Sequence, residues 1–100
     1  MHINTHVFMY TQQNEELFTC KTAEEIRKLV KERARVDTRR ANGRTPLIVH
    51  TAADNKDVVQ ELIEQKANVD LQDNDGWSAL MVASNNGYIV IVQCLSLIHI

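Results

Sequence analysis

The chain repeats one pattern of apolar and polar positions at an interval of 33 residues. Gly43 and Gly76 are separated by this interval, and no gap is needed to extend the match along the chain. The shift pairs apolar residues across three units, namely Ile26 with Val59 and Val92, Leu29 with Leu62 and Leu95, and Leu47 with Leu80. A match of this length in both chemistry and spacing indicates an internal repeat.

Each unit predicts two short helices followed by an extended turn. In the middle unit Thr45 precedes Pro46, and a threonine cap before a proline at the first helical position is typical of a helix start. The second helix follows from apolar residues at helical spacing, and Asn55 is predicted to cap it. Thr22 and Ser78 are predicted caps in the flanking units.

Glycines mark the ends and turns of these units. The pairs Asn42-Gly43 and Asp75-Gly76 predict tight turns with positive φ, and Gly87 is the expected left-handed stop of a helix. An α+β domain, with residues 68–72 and 77–82 as a hairpin, is rejected. Nothing elsewhere in the sequence would pair with those strands, and the 33-residue interval would then be coincidence.

The combined features resemble the ankyrin repeats, whose unit of about 33 residues has a turn, a Thr-Pro-Leu-His helix start and an Ala-Asp-Val-Asn exit. The middle unit carries the resemblance in residues 43–47 and 67–70, and the last unit carries it in residues 76–80. The resemblance implies an all-α solenoid of helix-turn-helix units with β-turn fingers. We expect a degenerate or capping repeat over 14–39, a complete repeat over 40–72 and a truncated repeat over 73–95. Residues 1–13 are expected to be disordered or extended.

Several residues depart from the family pattern. The histidine after the helix-start leucine is replaced by Ile48 and Met81, whereas His50 replaces a small residue at which neighbouring helices approach closely. We therefore expect looser packing in the middle unit. Arg33 and Lys66 occupy the glycine stop of the second helix, where positive φ costs a non-glycine residue about 1 kcal/mol.

The end of the chain carries two expectations. Because stable arrays usually need three or more units with polar caps, we expect marginal stability and an exposed apolar face at Ile91, Val92 and Leu95. Residues 95–100 break the repeat from Ser96 onward, and the sequencing-library adapter CTGTCTCTTATACACATC, used with a transposase, encodes these six residues. The hypothesis is that this end is derived from the adapter; the alternative is a genuine, divergent helix end.

The distribution of charge and the lack of catalytic or ligand-binding motifs limit the classes of function that the sequence allows. Residues 21–44 carry nine basic and four acidic residues, whereas residues 45–100 carry two lysines and seven acidic residues. The histidines show no ligand spacing with a cysteine or carboxylate, and no glycine-rich phosphate loop exists. Cys20 and Cys94 are expected to remain reduced and unpaired. We therefore expect no enzyme activity, no cofactor and no metal.

The resemblance implies a module that binds another protein through its turn tips and through the surface of the first helix of each unit. Trp77 is the best candidate anchor, because tryptophan is a frequent hot-spot residue. The tips are basic around Arg40 and acidic around Asp75. The partner is therefore expected to present an acidic patch beside a basic or apolar patch. The candidate contact residues are Arg39, Arg40, Ala41, Asn42, Arg44, Ala52, Ala53, Gln72, Asn74, Asp75, Trp77, Asn85 and Asn86.

Two alternative functions remain open from the sequence. The basic block of residues 27–44 could bind nucleic acid or another acidic surface, although no aromatic residue is interleaved for base stacking. The repeats could instead regulate a larger enzyme. We expect a location in the cytoplasm or nucleus, no membrane association and no small-molecule substrate.

Overall fold

The computed structural model of the protein describes residues 13–97. Residues 13–16 form a short helical turn, and five longer helices follow it. These are α1 (Ala23–Lys31), α2 (Pro46–Ala52), α3 (Lys56–Glu64), α4 (Ala79–Asn86) and α5 (Ile89–Leu97). The order of the helices matches the predicted succession of helix pairs. The expectation that residues 1–13 are disordered or extended concerns residues that the structure does not describe, except for Gln13, which is helical.

Side-chain caps begin three of the helices as the sequence predicts. Thr22, Thr45 and Ser78 each accept a hydrogen bond from the backbone N–H three residues later. Asn55 occupies the N-cap position of α3 as predicted, but its side chain makes no capping bond to the helix. Its amide Nδ2 donates instead to Nδ1 of His50 at 3.0 Å, because the buried imidazole lies within reach of the helix start.

The helices stack in two layers, which is the arrangement expected of a solenoid. Helix α2 packs on α4, while α1 packs on α3 and α3 packs on α5. Within a unit, α2 pairs with α3 and α4 pairs with α5. The core runs between the layers and consists of fully or nearly fully buried aliphatic residues, among them Ile26, Leu47, Val59, Leu62, Ile91 and Leu95. Each unit thus buries its apolar stripe against the next one.

Two extended turns project from the stack. We call residues 39–44 the first finger and residues 72–77 the second finger. Gly43 and Gly76 have φ of +82° and +87°, which confirms the predicted turns. Within residues 13–97 the only β-type pairing is an isolated antiparallel bridge between Gln72 and Ser78, so the fingers are turns rather than strands of a sheet.

The end of α5 corrects one expectation. Ile91 and Leu95 are 1% and 0% exposed, so the prediction that they form an uncovered face is wrong, and Val92 is partly buried. The rest of the last unit covers them, because α5 folds back on α4 and reaches α3. Among the residues of α5 whose burial is described, Ile89 and Val90 are the exposed large apolar ones.

Of the divergent residues 95–100, the structure describes only residues 95–97. Leu95 lies in the core as the repeat register requires, and Ser96 is exposed. Residues 98–100 lie outside the described residues. The adapter hypothesis and its alternative are therefore decided by a genomic read through these codons.

Among residues 13–97, three residues other than glycine have left-handed backbone angles. Arg33 and Lys66 have φ of +77° and +70°, which confirms the expected strain at the helix stops, and Asp54 has φ of +58°. Gly87, at the position of Asp54 in the last unit, adopts the same conformation at φ +71°. The first and middle units thus have residues with a Cβ at positions where positive φ makes a Cβ sterically costly and glycine avoids that cost.

Replacing Lys66 with glycine is expected to raise the free energy of unfolding by about 1 kcal/mol, because the positive φ no longer opposes a Cβ. Lys66 is exposed, so no packing is lost. Lys66→Ala is the matched control, since it removes the same charge and keeps the Cβ. Urea unfolding of the three proteins checks the prediction, and an equal gain in both variants would assign the effect to charge.

Candidate functional site

The two fingers are joined by hydrogen bonds along their length. The carbonyls of Ala41 and Asn42 both accept from Asn74, through its side-chain Nδ2 and its backbone N–H respectively, each at 3.0 Å. Arg39 Nη1 donates to the Gln72 carbonyl at 3.3 Å. Asn42 and Asn74, both candidate contact residues, are therefore also the residues that hold the fingers side by side.

Asp73 organises the second finger from within. Its Oδ1 accepts hydrogen bonds from the N–H groups of Asp75 and Trp77, both at 2.9 Å. Its Oδ2 lies 3.4 Å from Arg44 Nε of the first finger. The hydrogen bond from Trp77, then that from Asp75, and finally the contact with Arg44 lower the pKa of Asp73. The carboxylate therefore stays ionised at neutral pH and fixes the backbone on both sides of the turn.

Arg40 does not project freely from the first finger. Its guanidinium lies over the ring of Phe18, 4.3 Å from the centroid, and its Nε is 3.5 Å from a carboxylate oxygen of Glu15. Its backbone N–H donates to the Arg44 carbonyl at 3.0 Å and closes the finger. The first finger therefore directs two of its three arginines, Arg40 and Arg44, at carboxylates of the chain itself.

Trp77 is the large apolar residue that remains exposed on a finger, at 38%. Its N–H and its carbonyl are both bonded to Asp73, so its backbone is fixed while its ring contacts solvent. Ala41, Asn42, Gln72, Asn74 and Asp75 are exposed on the same row. On the first helices Ala53, Asn85 and Asn86 are exposed, whereas Ala52 is partly buried. The predicted contact residues thus lie along the fingers and around the last turns of α2 and α4.

His50 is buried in the core, although its place in the repeat suggested loose packing. It is 2% exposed, its Nε2 lies 2.7 Å from the Leu17 carbonyl, and its Nδ1 accepts from Asn55. These partners require the neutral tautomer with the proton on Nε2. Burial is the main cause that lowers the pKa of His50, and nearby Arg40 lowers it further. The expectation of loose packing is wrong here, because both ring nitrogens have partners that no sequence pattern indicates.

A second buried polar residue joins neighbouring units. Glu61 is 4% exposed, and its Oε1 lies 2.7 Å from Nη1 of Arg27. Its Oε2 accepts from Gln65 at 2.8 Å. The hydrogen bond from Gln65 and then the contact with Arg27 lower the pKa of Glu61. Arg27, Arg40 and Arg44, three residues of the basic block, are thus paired to carboxylates within the stack.

Cys20 does not have the surroundings of a reactive thiol. Cys20 is buried and donates to the Glu16 carbonyl, and burial together with Glu25 and Glu16 raises its pKa to about 11. The thiol is thus protonated at neutral pH and a poor nucleophile. Cys20 and Cys94 are both free. Among residues 13–97 no cluster of potential ligands could hold a metal ion, and none of the helices described there is long and apolar enough to cross a membrane.

Comparison with known proteins defines the class. A family model of ankyrin repeats, in three copies, matches residues 18–99. The chain belongs to the ankyrin-repeat family. Over 64 residues it is 38% identical to Protein glp-1 of Caenorhabditis elegans, an alignment that covers 64% of this chain and 5% of that protein. The chain thus spans a small part of the length of this relative. Ankyrin repeats are general protein–protein interaction modules and are typically non-catalytic.

Proposed function

We propose that this chain binds a protein partner through its two fingers and the exposed ends of α2 and α4, with Trp77 as the anchor. The observation that carries the proposal is the presentation of Trp77. Its ring is exposed, while Asp73 holds its backbone through both the N–H and the carbonyl of Trp77. An aromatic side chain on a fixed backbone loses little conformational entropy on binding, which favours affinity.

The surrounding row supports the same function. Asn85 and Ala53 are exposed, and the Asn85 side chain makes no hydrogen bond to the described residues, so a partner can approach them without displacing structural contacts. Asp75 is exposed on the second finger and is in no ion pair with the described residues. Packing requires none of these side chains, which distinguishes them from the buried residues of the same helices.

Trp77→Ala is expected to weaken binding to a partner by more than 1 kcal/mol, since hot-spot tryptophans have effects of this size. The free energy of unfolding should change little, because the ring is exposed and the backbone contacts of Trp77 do not need its side chain. A partner recovered by crosslinking and then purified would be titrated calorimetrically against both proteins.

Gln60→Ala provides the control, because Gln60 is exposed on α3, away from the fingers. This variant should bind like the parent chain. Loss of stability with unchanged affinity in Trp77→Ala would show that Trp77 is a packing residue and would place the binding surface elsewhere.

A further inference from the structure

The second helix of the last unit begins with two large apolar residues that contact solvent. Ile89 and Val90 are the first residues of α5, and they are 68% and 47% exposed. The residues 33 positions earlier, Lys56 and Asp57, are exposed on α3 although α5 packs against that helix. A further unit stacked in the same register would therefore leave positions 89 and 90 exposed as well. We call Ile89 and Val90 the apolar pair.

The start of α5 does not itself require the apolar pair. An acidic residue in the first turn of a helix interacts favourably with the helix dipole, and α3 has Asp57 at the position of Val90. The apolar pair lacks this interaction, and its β-branched side chains slightly lower the propensity to form a helix. Two adjacent apolar side chains that the core leaves largely in solvent are suited to contact with another molecule.

The surface beside the apolar pair carries uncompensated negative charge. Helix α5 contains no charged residue, whereas α3, which packs on it, exposes Asp57 and Glu64 two turns apart on one face. Neither carboxylate is in an ion pair with the described residues, and the charge of Lys56 is offset by Asp54 at 3.0 Å. Lys21 lines the same groove as Asp57 without forming an ion pair. The apolar pair thus lies next to a surface that is negative overall.

These charges distinguish between the possible occupants of the surface. An anionic membrane would accept the apolar side chains but would be repelled by Asp57 and Glu64. A second copy of the chain would bring the same carboxylates of both copies together, because a two-fold interface uses one patch twice. A segment with a cationic side chain near an apolar one complements both features of the surface.

We propose that the apolar pair and Asp57 form a second docking surface, for a segment of another protein that carries a large apolar residue and a lysine or arginine. The apolar residue packs on Ile89 and Val90, and the cation pairs with the Asp57 carboxylate. Packed helices are about 8–10 Å apart, so the two residues of the segment are separated by about three positions in an extended chain or about seven in a helix. This surface goes beyond the proposed function, which uses the fingers and the layer of α2 and α4.

A random peptide library displayed on phage and selected against the whole chain provides the test. Phage that bind the double variant Ile89→Lys, Val90→Asp are removed first, so the peptides that remain depend on the apolar pair. This variant gives the last unit the residues that the middle unit exposes at the same positions, and circular dichroism checks that it folds. The expected result is enrichment of peptides with a basic residue three or seven positions from leucine, isoleucine, methionine or phenylalanine.

Single variants then test the ion pair. A selected peptide is synthesised with a fluorescent label and titrated by anisotropy. Asp57→Asn is expected to reduce its affinity about threefold to tenfold and to leave the fold intact, because the Asp57 side chain is exposed and makes no hydrogen bond to the described residues. Asp75→Asn is the matched control, since it removes the same charge from the second finger. It should leave the affinity unchanged, as should Trp77→Ala.

Four outcomes would overturn the inference. No phage remains after removal, or the remaining peptides lack a basic residue or bind Asp57→Asn as tightly as the parent chain. Sedimentation shows a dimer of the parent chain that the double variant does not form, which assigns the surface to a second copy. Vesicles of phosphatidylserine and phosphatidylcholine bind the parent chain and not the double variant, which assigns it to a membrane. The proposed function stands in each case, because its own test uses a purified partner and Trp77→Ala.

Discussion

Replacing Gly43 with alanine is expected to lower the free energy of unfolding by about 3 kcal/mol, from two separate causes. Gly43 has φ of +82°, so alanine is strained there in any surroundings. A Cβ at this position would also lie 2.7 Å from the backbone N of Asn74, which is far inside van der Waals contact. The two fingers would have to separate and lose the hydrogen bonds that Asn74 makes to the first finger.

Gly76→Ala separates the two causes. Gly76 has φ of +87°, but a Cβ there meets nothing within 4 Å, so about 1 kcal/mol of backbone strain is the expected cost. Urea unfolding followed by circular dichroism gives both values, and trimethylamine N-oxide can be added where a variant is too unstable in buffer alone. Equal losses in the two variants would mean that the contact between the fingers contributes nothing to stability.

Replacing His50 with alanine is expected to cost about 3 kcal/mol, because the change leaves a cavity in the core and leaves the Leu17 carbonyl without its donor. His50→Gln should be considerably milder. Glutamine places an amide N–H near the position of Nε2 and can still donate to Leu17. Thermal unfolding compares the two variants, and a glutamine variant as unstable as the alanine variant would show that the hydrogen bond to Leu17 has little value.

His50 also predicts how stability depends on pH. Its folded-state pKa is lowered from the ordinary 6.5, so protons bind the unfolded chain more tightly than the folded one. The contribution of the neutral imidazole is therefore fully present above pH 6.5 and is lost as pH falls through the lowered pKa of the folded state. Asp73 and Glu61 do not produce this loss, because their pKa values are lowered from 3.8 and 4.5 and they remain ionised in this range.

Unfolding measured at several pH values between 7.5 and 5.5 is the corresponding experiment. The parent chain is expected to lose stability toward the acid end, whereas His50→Gln, which has no titrating group there, should follow a flatter profile. A parallel loss in both proteins would assign the acid sensitivity to another residue.

The interval of 33 residues and the residue types at each position were sufficient to determine the architecture of this protein. Helix starts depend on local chemistry, since a threonine or serine hydroxyl reaches an N–H only three residues away, and Thr22, Thr45 and Ser78 all cap as predicted. The turns at Gly43 and Gly76 follow equally from the conformational freedom of glycine. Local features of this kind can be predicted from a single sequence, because the interacting groups are only a few residues apart along the chain.

Only the tertiary structure decided which polar residues hold the stack together and which apolar residues are exposed. Asn55 looked like a helix cap, yet its amide bonds to His50, and His50 bonds to Leu17, which lies 33 residues earlier. Arg40 looked like a free tip residue, yet it lies over Phe18. Ile91 and Leu95 looked exposed, whereas the large apolar residues that the structure exposes include Met81, Ile89 and Val90. These outcomes depend on side chains that meet across repeat boundaries, and the sequence pattern records the period of the repeat but not the partner that each side chain finds in space.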